Sequence, residues 1–222
     1  MAYYGAAYST RETIDNTKYF TDYVLNKGIP GALVECGVAA GAQIAAMQER
    51  NISYPSPRWI YGFDSFEGIP LASADDDQQP GIAGPKPIVF YNDTRELLKS
   101  SGVTVHPKEN VLHNMKTWFP SNWDNIVLVK GWFQDTLHLY ASVFRHLGGI
   151  ALLRLDGDLY ESTKVSLEQL FPLLNTGGIL IVDDWELTGC KKACNEYFAT
   201  HPVEQIEQPY GELTGPAYFL KL

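Results

Sequence analysis

Four aspartates late in the chain carry the sharpest chemical signal. Asp156 and Asp158 flank Gly157 directly after the apolar run Ile150 to Leu155, and Asp183 and Asp184 directly follow Ile179 to Val182. Four carboxylates at one rim cannot all ionise comfortably without a cation or raised pKa values. Oxygen-only donors suit a hard ion such as Mg²⁺, which keeps water or substrate oxygens in its shell. The competing role is structural, with Asp158 or Ser162 capping a helix that starts at Thr163.

A second constellation lies nearer the amino terminus, in Glu35-Cys36-Gly37-Val38-Ala39-Ala40-Gly41. Gly37 and Gly41 permit a tight turn and close approach of a ligand to a helix amino terminus. The dinucleotide fingerprint G-x-G-x-x-G is broken at Ala39, and Glu35 would oppose a pyrophosphate. A cofactor with a positive ammonium end fits better. Asp64, 23 residues past Gly41 and followed by Ser65, stands where an acid takes both hydroxyls of a ribose. A purely structural turn is the alternative.

Other candidates carry less. Cys190 and Cys194 share one face of an expected helix, but no second Cys or His pair completes a zinc site. His138 and His113 are candidates to reach the rim, although a lone histidine is more often structural than catalytic. No G-x-S-x-G elbow supplies an acyl-enzyme nucleophile. Asn51-Ile52-Ser53 and Asn92-Asp93-Thr94 match a glycosylation pattern that means nothing without secretion.

Elements must bring these residues together. Five apolar runs end in polar or glycine turns: Ala32 to Cys36, Trp59 to Phe63, Ile126 to Val129, Ile150 to Leu155 and Ile179 to Val182. None alternates cleanly, as expected for central strands of a parallel sheet. Helix-like stretches follow three of them: Gln43 to Arg50, Thr136 to His146 and Thr163 to Leu174. The expected fold is α/β, a doubly wound, mostly parallel sheet, closed by an antiparallel pair from Val203 to Ile206 and Ala217 to Lys221.

Residues 1–30 read as an amino-terminal helical segment, opened by a Ser9/Glu12 capping box and ended by the Lys27 to Gly31 cluster. Residues 71–90, with five prolines and glycines and the Asp75-Asp76-Asp77 run, read as a lid loop. Ligands of open parallel sheets bind beyond the strands' carboxyl ends, which is where Asp64, Gly131, Trp132 and the aspartates fall.

The chain has 222 residues, enough for one domain, 1–222, and 45% of them are apolar, enough for a packed core. A net charge of -9 argues against nucleic-acid and membrane-surface partners. No apolar run approaches the roughly 20 residues of a membrane span. The amino terminus lacks a signal-peptide pattern, and three cysteines make no disulfide framework. A cytoplasmic protein is expected.

Taken together these strings resemble the macrocin O-methyltransferase family of antibiotic-sugar methyltransferases. The resemblance rests on Leu33 to Val38, Gly62-Phe63-Asp64-Ser65-Phe66-Glu67-Gly68-Ile69-Pro70 and Gly131 to Leu137. It rests most on Arg154-Leu155-Asp156-Gly157-Asp158-Leu159-Tyr160-Glu161-Ser162-Thr163, followed by Gly177-Gly178 and Asp183-Asp184. It implies a class I, Rossmann-like fold, S-adenosylmethionine and Mg²⁺ as cofactors, and methyl transfer to a sugar or glycoside hydroxyl.

Position by position, it implies Asp156, Asp183 and Asp184 as metal ligands and Asp158 as general base. Glu35, Gly37, Val38, Gly41, Asp64, Ser65, Gly131 and Asp156 become cofactor contacts, with Trp132 and Phe133 near the adenine. A small-molecule acceptor and a homodimer or larger homo-oligomer are likewise implied. The chain departs from the family at His138, where proline is usual, and is short at its amino terminus. The rival classes are a Mg²⁺-dependent catechol or phenolic O-methyltransferase and a non-catalytic binding protein of the same fold.

Overall fold

The computed structural model describes residues 2–76, 98–211 and 215–222. Seven strands make one sheet: β1 (Ala32–Cys36), β2 (Ile60–Asp64), β3 (Ile126–Lys130), β4 (Ile150–Leu155), β5 (Leu174–Val182), β6 (Val203–Ile206) and β7 (Ala217–Lys221). Their order is β3-β2-β1-β4-β5-β7-β6. The first five are parallel, and β7 pairs antiparallel with both β5 and β6. The doubly wound sheet with an antiparallel carboxyl-terminal edge is as expected. All five residues of β1 and all six of β4 are buried, the signature of strands covered on both faces.

Two apolar layers do the covering. One face packs against α1 (Arg11–Asn26), α2 (Ala42–Asn51) and α3 (Lys108–Trp118), through Ile14, Phe20, Ile44, Met47, Val111 and Met115 against Leu33 and Leu152. The other packs α5 (Ala141–His146), α6 (Tyr160–Leu170) and α7 (Thr188–Phe198) against Val34, Leu153 and Leu180. A four-residue turn of helix, α4 (Phe133–Thr136), follows β3.

Several boundaries differ from expectation, each for a local reason. The cap of α1 is Thr10, whose hydroxyl accepts the Thr13 amide at 3.3 Å, whereas the Ser9 hydroxyl accepts from Gln43 Nε2 at 2.8 Å. The expected helix from Thr136 to His146 is broken by a 3₁₀ turn, Leu137–Tyr140. Helix α3 went unread because only Val111 and Met115, one turn apart, are buried, too thin a stripe to register as amphipathic. Helix α6 starts at Tyr160 rather than Thr163 and takes no side-chain cap from its own flank, so neither Asp158 nor Ser162 caps it. Of the expected lid, residues 77–90 lie outside the described residues. Residues 71–76 are docked: Leu71 bonds Lys99 across a small antiparallel bridge, and Asp76 is buried.

The strand order reverses between β1 and β4, which opens a crevice at their carboxyl ends. Gly37 lets the segments that follow β1 and β4 touch there. Its φ is 92°, and a β-carbon would overlap the Asp156 carbonyl oxygen. Gly37→Ala is therefore expected to cost at least about 2 kcal/mol, from left-handed strain plus backbone displacement. Urea unfolding checks this, and a loss under roughly 0.5 kcal/mol would mean the turn relaxes freely.

Candidate functional site

The strands place a buried charge cluster below that crevice by parity alone. Glu35 on β1 and Arg154 on β4 are register partners, and Arg154 also pairs with Ile181 on β5. Side chains two apart share a face, so Glu35, Arg154, Asp156 and Asp183 all project to one side. Arg154 is fully buried, and Glu35 is 1% exposed. The guanidinium reaches three carboxylates: Glu35 Oε1 at 3.1 Å, Asp156 Oδ2 at 2.9 Å and Asp183 Oδ1 at 2.7 Å.

One cation among these acids leaves the site electron-rich. Burial pushes the Glu35 carboxyl up to about 8 in spite of Arg154. Burial, then the Asp183 charge, raises Asp156 well above the carboxylate range, and burial with Asp158 and Asp183 does the same to Asp184. Asp158 is pushed up to about 7, by burial and then by Asp183. Burial opposes the charge on Arg154, but Asp183, Asp156 and Glu35 outweigh it and raise its pKa.

Above the cluster is a cavity of about 330 Å³. Eleven of the expected site residues line it: Glu35, Gly37, Val38, Asp64, Ser65, Trp132, Phe133, Asp156, Asp158, Asp183 and Asp184. Gly41 and Gly131 do not; each has positive φ and shapes the turn behind the wall. His113 and His138 are exposed on outer helical turns and are absent from the lining, so neither shares the rim.

Asp64 does more than wait for a ligand. Its Oδ2 accepts the amides of Val38 and Ala39 at 2.7 and 3.2 Å, and its Oδ1 accepts Phe66 at 2.6 Å. It thereby clamps the glycine turn to the end of β2. Ala39, the residue that breaks the dinucleotide fingerprint, adopts φ 46°, the left-handed conformation a glycine would have supplied.

Which groups would fit the expected cofactors? Asp156, Asp183 and Asp184 each offer an oxygen, all within 4.8 Å of one another. That is an all-oxygen donor set suited to a hard divalent cation. Glu35 Oε2 is buried without a hydrogen-bond partner on the cavity wall, and so is Gln43 Oε1. Two orphaned acceptors suit a ligand carrying N–H donors, such as an ammonium. Gln43 and Arg154 escaped the sequence reading, as did the wall from Ala6 to Ser9. The sequence signal for the arginine is its place inside the apolar run Ile150 to Leu155, where a buried strand carries it inward.

Two measurements test the charge cluster. Arg154→Leu strands three carboxylates and is expected to cost about 3–5 kcal/mol in urea unfolding at neutral pH. The raised Glu35 pKa predicts the sign of a pH effect. Its contribution to stability is fully present below the unfolded carboxyl pKa and is lost as pH rises through about 8. In EDTA, stability is expected to fall from pH 5 to 9, with a shallower fall in Glu35→Gln.

Known proteins resemble the chain over most of its length. The chain is 33% identical over 207 residues to the 8-demethyl-8-(2,3-dimethoxy-alpha-L-rhamnosyl)-tetracenomycin-C 4'-O-methyltransferase of Streptomyces olivaceus, spanning 93% of this chain and 71% of that one. It is 31% identical over 192 residues to the demethyldecarbamoylnovobiocin O-methyltransferase of Streptomyces niveus, spanning 86% of this chain and 66% of that one. Among solved structures, the O-methyltransferase NovP superimposes with a TM-score of 0.75 at 27% identity, over 97% of this chain and 82% of that one. The calicheamicin methyltransferase CalS11 shares the fold, with a TM-score of 0.74 at 23% identity over 97% of this chain and 80% of that one. The macrocin-O-methyltransferase (TylF) family model matches residues 4–219. The chain belongs to the macrocin O-methyltransferase family.

Proposed function

We propose that this protein transfers a methyl group from S-adenosylmethionine to a sugar or glycoside hydroxyl, with Mg²⁺ as second cofactor. The observation that carries the reading is the meeting of Asp156, Asp158, Asp183 and Asp184 around one cavity above Glu35, in a chain of this family. The named relatives are antibiotic O-methyltransferases, and the first acts on a rhamnosyl group by its name. When bound, S-adenosylmethionine supplies an electrophilic methyl carbon on a cationic sulfonium, and Mg²⁺ supplies Lewis acidity toward neighbouring hydroxyls.

The chain's own residues do the rest. Asp156, Asp183 and Asp184 would hold the cation through carboxylate oxygens. Asp158, on the same rim, accepts the hydroxyl proton at a carboxylate oxygen, a role worth roughly 10²–10⁴-fold in rate when well placed. Glu35 Oε2 accepts from the ammonium end of the donor, and Asp64 serves its ribose side while keeping the glycine turn closed. Trp132 and Phe133 form the apolar wall for the adenine, beside Val38 and Ser65. These walls hold donor and acceptor in line, and alignment is where much of the remaining acceleration arises. The acceptor is a small molecule on this reading, with a homodimer or larger assembly the family-based expectation and the cytoplasm the expectation from the sequence.

The deciding experiment is methyl transfer from S-adenosylmethionine to pooled glycosides and catechols, read by mass spectrometry with Mg²⁺ and with EDTA. A Mg²⁺-dependent mass gain on a glycoside is expected. A gain that survives EDTA would sink the metal role, and preference for catechols would move the substrate class. Asp156→Ala is expected to abolish turnover yet largely spare S-adenosylhomocysteine binding in calorimetry. Asp158→Asn should lower kcat by about 10²–10⁴-fold.

A further inference from the structure

Asp158 stands at φ 60°, in the left-handed region that residues with a β-carbon rarely enter. Something must hold it there. One restraint is adjacent: its amide donates to Asp184 Oδ2 at 2.8 Å. The other comes from far away in sequence. The Tyr160 amide, at the first turn of α6, donates to Asp76 Oδ1 at 2.6 Å, across 84 residues.

Asp76 is itself held rigidly. It is 8% exposed, and its Oδ2 accepts both the amide and the hydroxyl of Ser73, at 2.7 and 2.8 Å. Since α6 has no side-chain cap of its own, Asp76 caps it from the 71–76 strap. Room for this is reserved in α7, where a β-carbon on Gly189 would overlap Asp76 Oδ1. Asp75 beside it pairs with Lys192 at 2.5 Å.

We propose that Asp76 is a positioning residue that keeps the Asp156–Tyr160 turn in the form presenting Asp158 to the cavity. The inference rests on the proposed role of Asp158 as proton acceptor. The turn is pinned at one end by Arg154 and Asp184, which bond Asp156 Oδ2 and the Asp158 amide. At the other end it is pinned by Asp76. Between them the turn's own backbone bond is Leu159 N–H to Gly157 O, at 2.6 Å. Without the Tyr160 anchor, Asp158 can relax to negative φ, which swings its carboxylate off the acceptor side. Acceptor and donor contacts elsewhere on the wall stay in place, so chemistry suffers and binding does not.

The test compares kcat, both KM values and amide exchange at Tyr160 across a small set of variants. Asp76→Ala is expected to lower kcat by about 10- to 100-fold, with both KM values within roughly threefold. Tyr160 amide exchange should quicken by about 10-fold or more as its acceptor is lost. Asp76→Asn keeps an acceptor oxygen for Tyr160 but sets its NH2 against the Ser73 amide, and should recover part of the kcat lost in Asp76→Ala. Gly189→Ala keeps Asp76 but crowds it and should lose kcat likewise, which covers the case in which Asp76→Ala does not fold. Lys192→Ala, at the solvent side of the strap, should leave kcat within about twofold.

Unchanged kcat in Asp76→Ala and Gly189→Ala beside an inactive Asp158→Asn overturns the positioning role and leaves the base role standing. A fully active Asp158→Asn sinks the base role instead. The exchange measurement then decides separately whether Asp76 holds the turn, and unchanged Tyr160 exchange overturns that too.

Discussion

A single buried guanidinium organises this molecule's functional end. Arg154 has no exposed surface, so its charge is tolerable only because three carboxylates surround it. The dependence runs both ways, because those carboxylates repel one another and all three also line the cavity. Arg154 ties β1, β4 and β5 together where the strand order reverses, and orients Asp156 and Asp183 from beneath. Acids that a divalent cation would draw together from above are thus already aimed, with part of their repulsion relieved.

The relief is incomplete, and the remainder has a consequence for ligands. Glu35, Asp156, Asp158 and Asp184 all have raised pKa values, so the cavity holds more latent negative charge than the protein itself neutralises. A cationic donor and a divalent ion meet that need where a phosphate-rich cofactor would aggravate it. The orphaned Glu35 oxygen points to the same preference. Stability and binding are coupled here through charge: the groups that repel one another around the cavity are those a cationic ligand would satisfy.

Backbone conformation adds a second constraint. Ala39 and Asp158 both sit at left-handed φ without being glycine, and both are held by carboxylates from other strands or loops, Asp64 in one case and Asp184 in the other. Phe66 and Thr104 are also left-handed, and the Phe66 amide likewise donates to Asp64, so three of these four strained positions are fastened by acidic side chains. Turns fastened in this way suit a reaction that depends on alignment.

Much of this was legible in the residues. Apolar runs with buried faces determined the parallel sheet, and the acids following them determined which residues would share a rim, because ligands gather at the carboxyl ends of such strands. The specific strings around Asp64 and Asp156 marked the family. Local signals could not reveal partners distant in sequence: that Arg154 faces Glu35 depends on strand register, that Asp76 caps α6 depends on where a strap docks, and that Asp64 clamps Val38 depends on two strands lying side by side. His113 and His138 illustrate the converse, since residue type made them candidates and helix orientation turned them outward. Residue chemistry and hydrophobic pattern are properties of short segments, so the sequence by itself determined the sheet and the acidic rim. Which charges neutralise one another, and which backbone strain is held in place, are set by contacts between segments, and only the tertiary structure decided those.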